Sequence, residues 1–170
     1  SASADPGVVV TIGSGKFYSN GLDLDFLGAN PGELRSYVER VQSLLATMLT
    51  LPVPTVAAVN GHAFGAGSMF AMAHDYRVMR SDRGYFCFPE VDIHIPFTNG
   101  MAALIQSKAS ARTAVDAMTT GRRFSGTEAR DAGLVDEIAD LEKLPEVAAD
   151  TVRDLAGKDR STLGAIKSTM

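Results

Sequence analysis

Two segments of this chain could leave backbone N–H groups free to meet a ligand: Ser19-Asn20-Gly21-Leu22-Asp23 and Asn60-Gly61-His62-Ala63-Phe64-Gly65-Ala66-Gly67. Each joins an apolar run to a helical pattern through glycine. At such a junction the first amides of the helix have no intrahelical acceptor, and glycine lets a ligand come close to the backbone. Two N–H groups converging from adjacent loops make an oxyanion hole, which stabilises charge developing on a carbonyl oxygen. A glycine-rich turn is most often only a turn, so a reacting group is needed beside it. Neither Gly-x-Gly-x-x-Gly nor Gly-Lys-Ser/Thr occurs in the second segment, which sets aside a dinucleotide or P-loop phosphate cradle. On its residues alone, Glu90 in Phe88-Pro89-Glu90-Val91 is a loop glutamate, which is usually a solvated surface group.

These residues must be positioned by the elements around them. Residues 8–12 are a β-branched run closed by Gly13 and predict a strand buried on both faces. Residues 33–48 predict a helix, with Leu34, Val38, Val41, Leu45 and Met48 at helical spacing and Asn30-Pro31-Gly32 before it. Pro52 and Pro54 end the pattern, and 55–59 predict a second buried strand, so the span predicts a right-handed parallel βαβ unit. The apolar stretch 69–73 predicts a helix. Residues 76–79 and 85–88 predict two short strands joined by the polar turn Ser81-Asp82-Arg83-Gly84. Helices are predicted over 101–107, 111–119 and 126–132, a short strand or connector over 134–138, and an amphipathic helical tail over 141–170. The fold class is α/β, with one domain over 1–170: a core through 140 and a helical C-terminal part from 141.

Composition bounds the partners. The chain has 170 residues, 45% hydrophobic and 21% charged, with net charge −4. That length can bury a core, and no basic block points to nucleic acid. Cys87 is the single cysteine, so an intramolecular disulfide is excluded and a reducing compartment fits. No apolar run reaches the roughly 18 residues that span a bilayer. Ser1 to Gly7 lack the basic and apolar regions of a signal peptide, and Lys167-Ser168-Thr169-Met170 is not the usual peroxisomal ending.

The order and spacing of several motifs carry a resemblance. They are Phe17-Tyr18-Ser19-Asn20-Gly21-Leu22-Asp23-Leu24, the run from Pro54 to Gly67, Phe88-Pro89-Glu90-Val91, and Thr120-Gly121-Arg122 through Ala129-Arg130-Asp131-Ala132-Gly133-Leu134-Val135-Asp136. With these the chain resembles the crotonase (enoyl-CoA hydratase/isomerase) superfamily over nearly its whole length. The stretch from His74 to Gly84, with Glu90-Val91-Asp92-Ile93, is most similar to the monofunctional Δ3,Δ2-enoyl-CoA isomerases of plants. The resemblance implies a ClpP/crotonase-like fold of stacked ββα units with C-terminal helices. It also implies an oxyanion hole from the N–H groups of Leu22 and Ala66, and Glu90 as the catalytic residue. Asn20, Gly21, Asp23, Phe64, Gly65, Met69, Phe88 and His94 are implied at the substrate, with Phe64, Met69 and Phe88 forming an apolar pocket that raises the pKa of Glu90. Hydratases of the family carry a second glutamate where this chain has Met69, so one base is left, which suits a double-bond shift better than water addition. The implied substrate is an acyl-CoA thioester; no metal and no separate cofactor is expected, coenzyme A being part of the substrate. A homotrimer or hexamer is implied, without nucleic acid or membrane. The implied compartment is the cytoplasm in a bacterium and otherwise the peroxisome or mitochondrial matrix. Family members usually begin with a strand pair and a helix ahead of the segment at Val8. Three other readings stay open: a hydratase working with one glutamate, a non-catalytic acyl-CoA binder, and a serine hydrolase. The last rests on Ser68-Met69 with His94 downstream, which resembles the Clp-type proteases, and would take an acid such as Asp140.

Overall fold

The computed structural model describes residues 7–170; the signal-peptide reading of the first residues lies largely outside them. The chain alternates between two sheets. β1 (Val9–Ile12), β3 (Thr55–Val59), β5 (Tyr76–Arg80) and β7 (Glu137–Ala139) form a parallel four-stranded sheet in that order. β2 (Phe17–Ser19), β4 (His62–Phe64) and β6 (Phe86–Cys87) form a parallel three-stranded sheet. After β2 come α1 (Leu24–Ala29) and α2 (Leu34–Thr50); after β4 comes α3 (Ala66–Met72); after β6 come a 3-10 turn (Pro89–Val91) and α4 (Asn99–Lys108). One strand for each sheet followed by helix, repeated three times, is a stack of ββα units. The chain continues through α5 (Ala111–Thr120), α6 (Gly126–Asp131), α7 (Leu144–Arg153) and α8 (Arg160–Lys167).

The predicted βαβ unit is present: β1 and β3 pair in parallel, Val9 opposite Thr55 and Ile12 opposite Ala58. All five residues of β3 are buried. Its alternate residues feed two cores. Ala57 and Val59 join the large cluster with Met69, Phe86, Phe88, Ile105 and Leu134, while Val56 and Ala58 meet Leu144, Ala148 and Val152 of α7. A strand covered on both faces has no polar side to display, which is why it reads as a continuous apolar run.

Two expectations are corrected. Residues 8–12 are not buried on both faces: Val10 is 37% and Ile12 49% exposed. Among the described residues β1 is one of the two end strands of its sheet, and a short apolar run does not distinguish an edge from a centre. The strands within 76–79 and 85–88 do not pair with each other across their turn: β5 joins the larger sheet and β6 the smaller. Gly84 makes that crossing possible. Its φ is +102°, and a Cβ there would stand 2.6 Å from the Gly61 carbonyl carbon.

Helix starts follow side-chain chemistry. Thr98, Ser110 and Asp159 accept the N3 amides of α4, α5 and α8, and Ser125 with Glu128 forms a capping box on α6. The C-terminal helices belong to the packed structure: α7 covers the larger sheet, and the Lys167 Nζ of α8 donates to Asp75 Oδ2 at 2.6 Å and to the Val53 carbonyl at 2.7 Å.

Candidate active site

Backbone proximity builds this site. Gly21 has φ +85°, and a Cβ on it would lie 2.7 Å from the Phe64 carbonyl oxygen and 3.2 Å from the Ala66 nitrogen. Gly67 is pressed against Ser19 in the same way, with 2.5 Å between its Cβ position and the Ser19 carbonyl oxygen. Only glycine fits such contacts, so the two loops lie backbone against backbone, with Leu22 on one and Ala66 on the other. Ala66 opens α3, where an N–H has no intrahelical acceptor. Among the described residues neither the Leu22 nor the Ala66 N–H donates to a protein acceptor.

Gly65 links this pair to Glu90. It turns the chain into α3 with φ +54°, and its N–H donates to the Cys87 carbonyl at 3.0 Å. A Cβ at Gly65 would stand 3.1 Å from Glu90 Oε1, so the carboxyl lies over Gly65, one residue from Ala66. Glu90 is 7% exposed, and its Oε2 is buried without a hydrogen-bond partner. Burial raises its pKa from 4.5 to about 7, with its own backbone N–H pulling weakly the other way. A carboxyl group titrating near neutrality can both accept and return a proton.

Beside Glu90 opens a cavity of about 540 Å³, walled by Val91, His94, Ile95, Pro96, Phe97 and Met118. It is apolar apart from Glu90 and His94, and Glu90 is the only carboxylate among its lining residues.

The residues expected at the substrate divide into three groups. Gly21, Gly65, Leu22, Ala66 and Glu90 come together as described. His94 lines the cavity, and it holds a left-handed φ of +58°. Met69 and Phe88 are not among its lining residues: they are 1% and 0% exposed and belong to the core. Phe88 instead packs edge-on against Phe97, which does line it. Phe64 stands apart as well, half-buried under the Arg123 guanidinium at 5.5 Å. Asp23 Oδ1 accepts the Phe26 N–H at 2.9 Å and caps α1; Asn20 is exposed on the same loop. Ile95, Phe97 and Met118 were missed. The run Ile93 to Phe97 was a signal, since four apolar residues in a loop need a surface to cover.

Ser68 is not placed as a nucleophile. It is fully buried, and its hydroxyl lies 2.6 Å from the Ala63 carbonyl and 2.9 Å from that of Cys87, strapping α3 to β4 and β6. Asp140 accepts from Ser81. Among the described residues no group of three or more His, Cys, Asp or Glu could hold a metal ion, and no helix is long and apolar enough to cross a membrane.

Residues 2–170 match the family model Enoyl-CoA hydratase/isomerase. The chain is similar to enoyl-CoA delta isomerase 3 of Arabidopsis thaliana, 41% identical over 144 residues that cover 82% of this chain and 60% of the relative. Peroxisomal enoyl-CoA delta isomerase 2 of the same plant is 38% identical over 146 residues, covering 82% and 61%. The crystal structure of a probable enoyl-CoA hydratase from Mycobacterium tuberculosis H37Rv matches with a TM-score of 0.87 at 25% identity, covering 94% of this chain and 68% of that one. The chain thus spans about three-fifths of the length of the two plant relatives.

Proposed function

The chain belongs to the enoyl-CoA hydratase/isomerase family and has its crotonase fold, and from that premise we propose that it is a Δ3,Δ2-enoyl-CoA isomerase of fatty-acid metabolism. The thioester oxygen of a 3-enoyl-CoA accepts the N–H groups of Leu22 and Ala66. The Glu90 carboxylate removes a proton from C2, and the electrons of that C–H bond pass to the thioester oxygen to give a dienolate held by the two amides. Glu90 returns the proton at C4, whereupon the carbonyl re-forms and the double bond stands between C2 and C3. Fixed amide dipoles stabilise the enolate with little reorganisation, and one such donor contributes about 10²–10³ in rate. The apolar cavity takes the hydrocarbon tail.

One observation carries the preference for isomerisation over hydration: Glu90 is the single carboxylate of its cavity, and Met69 fills the core where a hydratase has its second glutamate. Moving a double bond needs one group that takes and gives the same proton; adding water is helped by two. The proposed assembly is a homotrimer or a pair of trimers. The proposed compartment is the cytoplasm in a bacterium and the peroxisome or mitochondrial matrix otherwise; one plant relative is peroxisomal by name.

Purified protein given a trans-3-enoyl-CoA should form the 2-enoyl product, read by the absorbance of the conjugated thioester. Fast hydration of a 2-enoyl-CoA without isomerisation of the 3-enoyl substrate would make it a hydratase; neither reaction would leave a binder. Light scattering reads the assembly.

A further inference from the structure

α4 ends on a lysine that the Glu90 site does not use. Lys108 stands on the wall shared by two cavities, of about 510 Å³ and about 400 Å³. Both fall in the size range of small-molecule sites, about 300–1,000 Å³. The larger is a greasy slot under α8, with Pro54, Tyr76, Leu155, Leu163 and Ile166 around it. Lys108 is half-buried, and among the described residues it forms no salt bridge. Its hydrogen bond is a long one, 3.4 Å to the His74 carbonyl.

The charges facing it are already committed. Asp75 accepts from Lys167 at 2.6 Å and from the Thr55 N–H at 2.8 Å, and Asp136 pairs with Arg77 at 3.1 Å. Burial is the main reason that the Lys108 pKa falls below that of an ordinary lysine. The neighbouring cations Arg77 and Lys167 add to it, and Asp75 and Asp136 oppose it. A desolvated lysine among cations is a better nucleophile at neutral pH, because more of it is free amine.

We propose that Lys108 is a self-acylation site for acyl-CoA thioesters, with the acyl tail lying in the cavity under α8. This rests on the reading that the chain handles acyl-CoA. The neutral ε-nitrogen attacks the thioester carbonyl carbon. A C–N bond forms as the C–S bond breaks, the coenzyme leaves as a thiolate, and that thiolate takes the proton shed by nitrogen. The products are an amide on Lys108 and free coenzyme A, with no oxidant or reductant involved.

The test is to incubate the purified chain with acetyl-, butyryl- and octanoyl-CoA at pH 8 and map acylated lysines over time by peptide mass spectrometry. The chain offers its own controls in Lys16 and Lys143, which are exposed and line neither cavity. Lys108 should be labelled first. Its rate should climb with chain length by up to about fourfold per added methylene, the factor for burying one CH₂, while the exposed Lys143 shows no such climb. Lys108→Arg should remove the fast site, and Leu163→Trp, which fills the slot, should remove the length dependence while leaving the acetyl rate. Labelling spread over exposed lysines, a Lys108 rate independent of chain length, or a length dependence surviving Leu163→Trp overturns the proposal. Isomerase turnover is measured on the same preparation. Turnover with Lys108 unlabelled sinks this inference alone; labelled Lys108 without turnover sinks the isomerase reading alone.

Discussion

Two regions of this protein bury charge, and they do it in opposite ways. Around β5 the charges are matched. The Arg77 side chain, 6% exposed, donates to Asp136 and to the Leu134 and His74 carbonyls, and the Lys167 side chain, 5% exposed, is held by Asp75 and the Val53 carbonyl. At the end of β6, Glu90 is as deeply placed but has a carboxylate oxygen with no partner. A buried charge with partners ties elements together, whereas one without them shifts its pKa instead. The first arrangement holds α8 and β7 to the sheet. The second leaves a carboxyl group that titrates at about 7 on the wall of a cavity. Variants on the two sides should therefore fail differently: one loses chemistry and keeps the fold, the other loses stability and keeps the chemistry.

The largest effect is expected at Glu90. Glu90→Gln keeps the shape and removes the base, so isomerase kcat should fall by about 10²–10⁴. The folded-state pKa of about 7 lies above the 4.5 of the free side chain. Between those values the folded protein holds a proton that the unfolded chain has released. Glu90 therefore makes stability fall as pH rises through that window, by on the order of 2 kcal/mol. The variant should flatten this slope and be no less stable than the parent at pH 8, as read by urea melts at pH 5 and pH 8. In the parent, kcat/KM should rise with pH through about 7 as the carboxylate forms. Full activity in the variant, or an unchanged slope, would remove the distinction between the regions.

Lys167→Met is the counterpart. It leaves the Asp75 carboxylate facing the cavities under α8 without its cation, and breaking a buried pair from one side costs about 3 kcal/mol or more. The urea midpoint should drop, while turnover per folded molecule stays at the parent value. A variant as stable as the parent would mean that the Lys167–Asp75 bridge does not hold α8.

Gly21→Ala tests the backbone contact between the loops. The added methyl would stand 2.7 Å from the Phe64 carbonyl oxygen at a φ of +85°. The backbone strain is worth about 1 kcal/mol, and moving Leu22 away from Ala66 should lower kcat by about 10², the effect of weakening one oxyanion donor. A stability loss with kcat intact would show that the loops are merely packed together.

Much of this was legible in the residues, for reasons that differ by element. β3 and α2 announced themselves through a long apolar run and a sustained helical period. β2 and β4 did not, because three-residue strands inside glycine-rich segments show no alternation. That β5 and β6 belong to different sheets depends on contacts with β3 and β4, far away in the chain. The tight turns at Gly21 and Gly65 were legible because each is a local demand that glycine meets, with φ of +85° and +54°. Ile95, Phe97 and Met118 come from a loop and from α5, and only folding brings them to one cavity. Met69 and Phe88 lie in the core rather than among the cavity's lining residues, because closeness in sequence to a site does not by itself place a side chain on its wall.

His94 offers the smallest effect and the sharpest question about the cavity side. Its left-handed φ of +58° is unusual for a residue with a side chain, and such a conformation costs on the order of 1 kcal/mol. The turn holding it is closed by the Ile95 N–H on the Glu90 carbonyl at 3.0 Å, so relaxing His94 also acts on the main chain of Glu90. His94→Gly should relieve the strain and raise the urea-derived stability by up to about 1 kcal/mol, less the entropy that glycine adds to the unfolded chain. If the imidazole serves as cavity wall, the same variant should raise KM for a long 3-enoyl-CoA more than for a short one, with kcat nearly unchanged. Added stability with no change in KM would leave the strain without a role in binding. Lost stability would mean that the ring makes contacts worth more than the strain.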